Sequence, residues 1–299
     1  MASPFEGEES AFEHVSIEQA DKVVQQLWDE DVTAWQAHWV PVFRIFAHDL
    51  VSDAGICPGQ LVLDVGTGTG VAAFEAAKCV TPQGFIVGID HSEPMLTAAK
   101  ADSRKSGRKS LRFLTMEAEH LLFPDGLFDA VISNCGISYA TFHQTIAEVF
   151  RVLRKGGIFT FNDWHLKDVP AHRTFSNILQ QYRTGNPSRK LRIQRGAIAT
   201  LERFGNRDMD LNVQVRELRQ AGFVNVQVKR RKYTIVLRGI QQYLDMRFTR
   251  VALKQELAEL SRVRRARLLN ELRKELKQFM RNKRFKFDWE VSFVRGKRP

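Results

Sequence analysis

The chain is short of what marks an exported, disulfide-stapled or membrane-spanning protein. It has three cysteines, Cys57, Cys79 and Cys135. An odd, widely spaced set gives neither a disulfide framework nor zinc-ligand spacing, and it fits a reducing compartment. The first residues carry Glu6, Glu8, Glu9 and Glu13 where a secretory leader needs positive charge and then an apolar run. No apolar stretch is long enough to cross a bilayer. Internal repeats and low-complexity tracts are missing as well. These absences leave a cytoplasmic globular protein as the expectation.

What is present suits one large α/β domain with additions. The chain has 299 residues, 43% hydrophobic and 26% charged, enough to bury a sizeable core. Its net charge of +11 is unevenly spread. Residues 1–50 hold 2 basic and 10 acidic residues, whereas 239–299 hold 17 basic and 7 acidic. Such asymmetry suits either a partner of opposite sign or a solvated basic helix face.

Along the chain, residues 16–55 read as helical, with Val23, Val24, Leu27 and Trp28 on one stripe and Val42, Phe43, Phe46, Ala47 and Leu50 on another. The period then changes. Short apolar runs at 61–63, 85–89, 111–114, 128–132 and 158–161 alternate with helical segments at 71–80, 94–101 and 143–153. Gly156-Gly157 is expected to cap the last of these helices. This alternation predicts parallel βαβ units with helices on both faces of one sheet. Residues 166–208 are polar and less regular. A helix is expected at 211–221, β-like segments at 223–229 and 232–237, two helical pieces within 240–281, and a final strand at 285–294.

The strongest local signal is the run from Leu61 to Gly70. Glycines at 66, 68 and 70 follow a strand and open a helix, so the loop can turn sharply and bring main chain against a ligand. A dinucleotide fingerprint would need its third glycine one residue later, where Val71 stands. Asp64 precedes the first glycine; a carboxylate there opposes pyrophosphate and can receive an ammonium. Asp90, 26 residues on, closes the second strand where it can accept ribose hydroxyl protons. Glu117 and Ala118 follow the third strand, and Asn134 follows the fourth. In an open α/β sheet all these strand ends face one crevice. The pattern predicts a zwitterionic nucleoside, with no metal.

Four stretches, Val62–Gly70, Val87–Met95, Phe123–Val131 and Val149–Gly157, resemble the ubiquinone/menaquinone-biosynthesis-like (type 11) branch of class I S-adenosylmethionine-dependent methyltransferases. The resemblance covers residues 20–165 well. It implies an α/β, Rossmann-like fold with a mostly parallel seven-stranded sheet and helical cap elements. It implies an N-terminal cap at 1–55, a cofactor-binding core at 56–165, the rest of the core with a substrate-side insertion at 166–238, a helical insertion at 239–284, and a final strand at 285–299. S-adenosylmethionine would be the cofactor and S-adenosylhomocysteine its product. Gly66, Thr67 and Gly68 would line the methionine end, Asp90 the ribose, His91 and Met95 the adenine face, and Glu117 and Ala118 the adenine edge. The branch usually carries Gly-Asp-Ala where this chain has Met116-Glu117-Ala118.

Methyl transfer mainly needs an aligned nucleophile. A base matters for weakly acidic acceptors; His165 and Asp163 after the fifth strand, then Tyr139 and His143 after the fourth, are the candidates. Trp28, Trp35, His38, Trp39 and Phe43, with Tyr243, Met246 and Phe248, could line an acceptor pocket or pack as core. The expected partner is a small-molecule acceptor. Nucleic acid ranks last, since no stacking aromatics accompany the Arg run at 262–267. A peripheral membrane, carrier-protein or homodimer contact through the basic C-terminal helices remains open. So do an NAD(P)-dependent oxidoreductase and a non-catalytic binding protein on the same sheet.

Overall fold

Five short apolar segments become the parallel part of one sheet in the computed structural model, which describes residues 13, 15–137, 141–164, 169–208, 210–249 and 251–299. They are β1 (Leu61–Val65), β2 (Phe85–Asp90), β3 (Leu111–Thr115), β4 (Phe128–Asn134) and β5 (Leu153–Trp164). β1 pairs in parallel with β2 and β4, β2 with β3, and β4 with β5. β8 (Arg284–Lys297) runs antiparallel to β5, and β6 (Val224–Leu237) closes the order β3-β2-β1-β4-β5-β8-β6. The eighth strand, β7 (Met280–Arg281), pairs only with β8. The seven expected strands are thus joined by a two-residue pairing.

The central strands are mostly apolar before their polar C-terminal ends because both sheet faces are covered. β1 buries all but its first residue. Its neighbours in the core include Phe128, Val131, Val149, Phe159 and Val294, each at 0% exposure. A fully buried side chain of this size contributes roughly 1.5–3 kcal/mol. After α1 (Ile17–Asp29) and α2 (Val32–His38), the helices α3 (Val40–Ala54), α4 (Val71–Val80), α5 (Glu93–Ser106), α6 (Phe142–Val152) and α9 (Leu211–Gln220) accompany this part. Ser92 caps α5 by accepting from the Met95 amide, and Gly55 ends α3 in a left-handed conformation at φ 65°.

Four expectations change. Gly156-Gly157 does not cap a helix; α6 ends at Val152 and the glycines lie inside β5, at a bulge. Phe128 pairs with Leu153 and Ala130 with Ile158, so β5 carries extra residues there, and Gly156 sits at φ 78°. Residues 166–208 contain two helices, α7 (Pro170–Tyr182) and α8 (Arg189–Asp208). α7 buries Ala171, Phe175, Ile178 and Leu179, a helical stripe diluted by polar neighbours. β6 continues through Arg230-Arg231 without a break. The region 240–281 holds three helices, α10 (Ile240–Phe248), α11 (Val251–Ala258) and α12 (Arg262–Glu275), followed by a 3-10 turn and β7.

The chain divides into two compact units. The larger comprises residues 35–165, 206–233 and 290–299, and contains the parallel strands. The smaller comprises 1–34, 166–205 and 234–289. Its core is aromatic: Tyr243 stacks on Phe285 at 4.5 Å, and His172 lies against Tyr243, Phe287 and Trp289.

Candidate functional site

The strand ends of the larger unit bring most of the singled-out residues together. Gly66, Gly68 and Gly70 all take positive φ, at 64°, 54° and 85°. A Cβ on Gly66 would clash with the backbone of Gly136, whereas one on Gly68 would meet nothing within 4 Å. Gly66 is therefore a close approach of two loops, and Gly68 borders open space.

Asp64 is wholly buried at the end of β1, and its Oδ2 accepts from Thr67 Oγ1 at 2.6 Å. Desolvation pushes its pKa up to about 7, against the hydrogen bonds of Thr67 and the Ala73 amide, with the Asp90 charge adding to the rise. The carboxyl braces the loop from within through Thr67. Asp90 lies at the end of β2, 9% exposed. Its Oδ2 accepts from the Gly68 amide at 2.7 Å and its Oδ1 from the Ser92 amide at 2.9 Å. A carboxylate has about four lone-pair sites, so roughly two remain for hydroxyl donors. Other loop amides turn inward: Thr67 donates to the Ile89 carbonyl and Gly70 to that of Thr67. Oγ1 of Thr69 and Nε2 of His91 are enclosed without a hydrogen-bond partner among the described residues. Open space at Gly68, spare acceptor capacity on Asp90 and these orphaned atoms fit a polar nucleoside at this loop.

His91 Nδ1 lies 3.9 Å from Asp90 Oδ1, and Met95 is buried in the first turn of α5. The Met116 amide donates to the Asp90 carbonyl at 3.0 Å, which brings the start of the 116–118 segment against the end of β2. Glu117 is exposed and Ala118 half-buried. Asn134, at the end of β4, donates to the Phe43 carbonyl at 3.4 Å and accepts from Asn162 Nδ2 at 2.8 Å.

Asn162 was missed in the sequence. It lies beside Asn134 in the β4–β5 register, 3% exposed, and its Oδ1 accepts from the Cys135 amide at 2.8 Å and from the Cys135 thiol at 3.2 Å. Cys135 itself sits at φ 56°. Burial, and then the Asp163 charge, pushes its thiol pKa well up. The polar pair Asn162-Asp163 closing an apolar strand was the available signal. Asp163 is 4% exposed and accepts from Gln214 Nε2 at 3.2 Å.

The base candidates separate. Tyr139 and His165 lie outside the described residues. His143 is on the surface, its side chain 75% exposed and paired with Glu217 at 2.7 Å. Among the aromatics, Trp39 and Phe43 are buried in the larger unit, with Trp35 stacked on Trp39 at 5.6 Å. Tyr243 and Met246 are fully enclosed in the smaller one. No group of three metal-ligating side chains occurs among the described residues.

The family model described as "Methyltransferase domain" matches residues 57–203. Residues 57–203 are thus similar to a methyltransferase domain. Arsenite methyltransferase of Halobacterium salinarum is 35% identical over 111 residues, 37% of this chain and 28% of that one. Demethylmenaquinone methyltransferase of Symbiobacterium thermophilum is 32% identical over 154 residues, 48% of this chain and 60% of that one. Each alignment thus spans less than two thirds of the curated relative. The fold extends further. Phosphoethanolamine N-methyltransferase 2 of Haemonchus contortus, solved with phosphomonomethylethanolamine and S-adenosylhomocysteine, superposes with a TM-score of 0.53. It is 16% identical, and the match covers 95% of this chain and 61% of that one. Asp64, Asp90 and the glycine loop all lie within the matched residues.

Proposed function

We propose that the whole protein transfers the methyl group of S-adenosylmethionine to a small-molecule acceptor in the cytoplasm. The sulfonium supplies an activated methyl carbon: the acceptor's lone pair forms the new bond as the sulfur–methyl bond breaks, leaving S-adenosylhomocysteine as the thioether product. The supporting observation is Asp90, which binds the Gly68 amide and keeps acceptor capacity beside open space.

The chain's own residues would then act as follows. Asp90 accepts from the ribose hydroxyls, with His91 and Met95 beside the adenine and Glu117 and Ala118 at its edge. Gly66, Thr67 and Gly68 line the methionine end, and Asp64 holds that loop in shape. Asn134, tied to Asn162, borders the reacting methyl. His165, with Tyr139 as the second choice, takes the acceptor's proton where the acceptor needs one removed. Alignment of the acceptor supplies most of the acceleration, up to about 7–11 kcal/mol.

Calorimetric titration with S-adenosylhomocysteine tests this reading. Saturable single-site binding is expected, and Asp90→Ala should weaken it by about 1–3 kcal/mol, the usual result of stranding hydrogen-bonded partners. No binding at millimolar ligand would end the proposal. Unchanged affinity in the variant would place the ribose elsewhere.

A further inference from the structure

On the larger unit, α9 and β6 enclose an open groove of about 690 Å³ that the methyltransferase reading leaves unused. Leu211 and Val215 of α9 and Val228 of β6 form its apolar part, while Arg216, Arg219 and Arg230 supply three guanidinium groups. All three arginines are exposed. Arg216 and Arg219 make no ion pair among the described residues, and Arg230 has only a 3.9 Å approach to Glu290. β6 is also the last strand in the sheet order.

Exposed arginines beside an apolar strip, two of them without an ion pair among the described residues, are arranged for recognition. A guanidinium binds a carboxylate through two parallel hydrogen bonds, and a recessed floor receives an apolar side chain between them. We propose that this groove docks an acidic amphipathic segment of a partner protein, one that presents carboxylates on either side of a Leu-like residue. Charge complementarity supports that occupant. Single-stranded nucleic acid would want stacking aromatics, and the lining has none. A lipid surface would want several projecting apolar side chains, whereas of the three apolar lining residues only Val228 is exposed and Leu211 and Val215 are half-buried.

The test uses the full chain and a fluorescein-labelled peptide in which Glu pairs alternate with Leu, read by anisotropy. Binding is expected to weaken as salt rises, and to fall at least about tenfold in R216E/R219E, since reversed rim charges oppose the partner. The same charge change on α12, R262E/R265E, should alter it little, and S-adenosylhomocysteine binding should persist in every variant. The proposal is overturned by equal binding of the peptide with Gln in place of Glu, or by equal losses in R262E/R265E. It is also overturned if R216E/R219E leaves peptide binding intact while abolishing binding to phosphatidylglycerol vesicles, or if it dissociates a dimer of the chain.

Discussion

Asp64 carries a pKa near 7, from an ordinary value of 3.8, because its carboxyl is taken wholly out of water. Thr67 and the Ala73 amide pull the value back only partly. The sign of the consequence follows from proton counting. Between 3.8 and about 7 the folded chain holds a proton that the unfolded chain has released. Folding stability contributed by this group is therefore intact at low pH and is lost as pH rises through that window. The full shift corresponds to at most about 4 kcal/mol. Asp64→Asn keeps an oxygen for the Thr67 hydroxyl and cannot ionise. Urea unfolding should give equal stabilities near about pH 4 and an advantage for the variant that widens towards about pH 8. A gap that stays constant with pH would mean that Asp64 ionises as an ordinary surface carboxylate does.

The ends of β4 and β5 are tied by side chains, and that tie is where the element scale meets the site. Asn162 accepts from the Cys135 amide and donates to Asn134, so one amide group fixes the turn that carries Gly136 against Gly66. Asn162→Asp retains the acceptor but loses the donor, and places a charge beside Asp163. When protonated, the new carboxyl can donate as the amide does. S-adenosylhomocysteine affinity in this variant should fall several-fold at alkaline pH and recover on acidification, while the wild type shows no such recovery. Equal losses across pH would mean that Asn162 only fills space. The same elements show what could be read in advance. β1 to β5 were legible because buried parallel strands leave short apolar runs, and the glycine loop because positive φ at 66, 68 and 70 demands glycine. α7 was not, because its buried stripe is interleaved with Arg173, Thr174, Gln180 and Gln181. Gly156-Gly157 misled because glycine serves a bulge as readily as a helix end. Asn162 escaped because a tie between adjacent strand ends leaves no periodic trace.

At the scale of the whole molecule, the smaller unit is assembled from three separated stretches of chain, and a buried ion pair joins two of them. Arg195 of α8 donates to both carboxylate oxygens of Glu256 on α11, at 2.8 and 2.7 Å. The side chains are 5% and 4% exposed, and Arg183 approaches the same carboxylate at 3.2 Å. Such a pair is weak evidence of net stabilisation, because desolvation offsets much of the attraction. Breaking it is a different matter. Glu256→Ala would strip both guanidinium groups of the carboxylate they share, leaving the enclosed Arg195 only the less direct charge of Glu259, and should cost about 3–5 kcal/mol. Replacing both partners, as in R195M/E256L, removes the stranded charge and should recover much of that loss. Denaturant unfolding of the single and double variants separates the two effects. If the double variant were as unstable as Glu256→Ala, the cost would come from lost packing. If Glu256→Ala cost less than about 1 kcal/mol, water would be reaching the pair as it does at a surface.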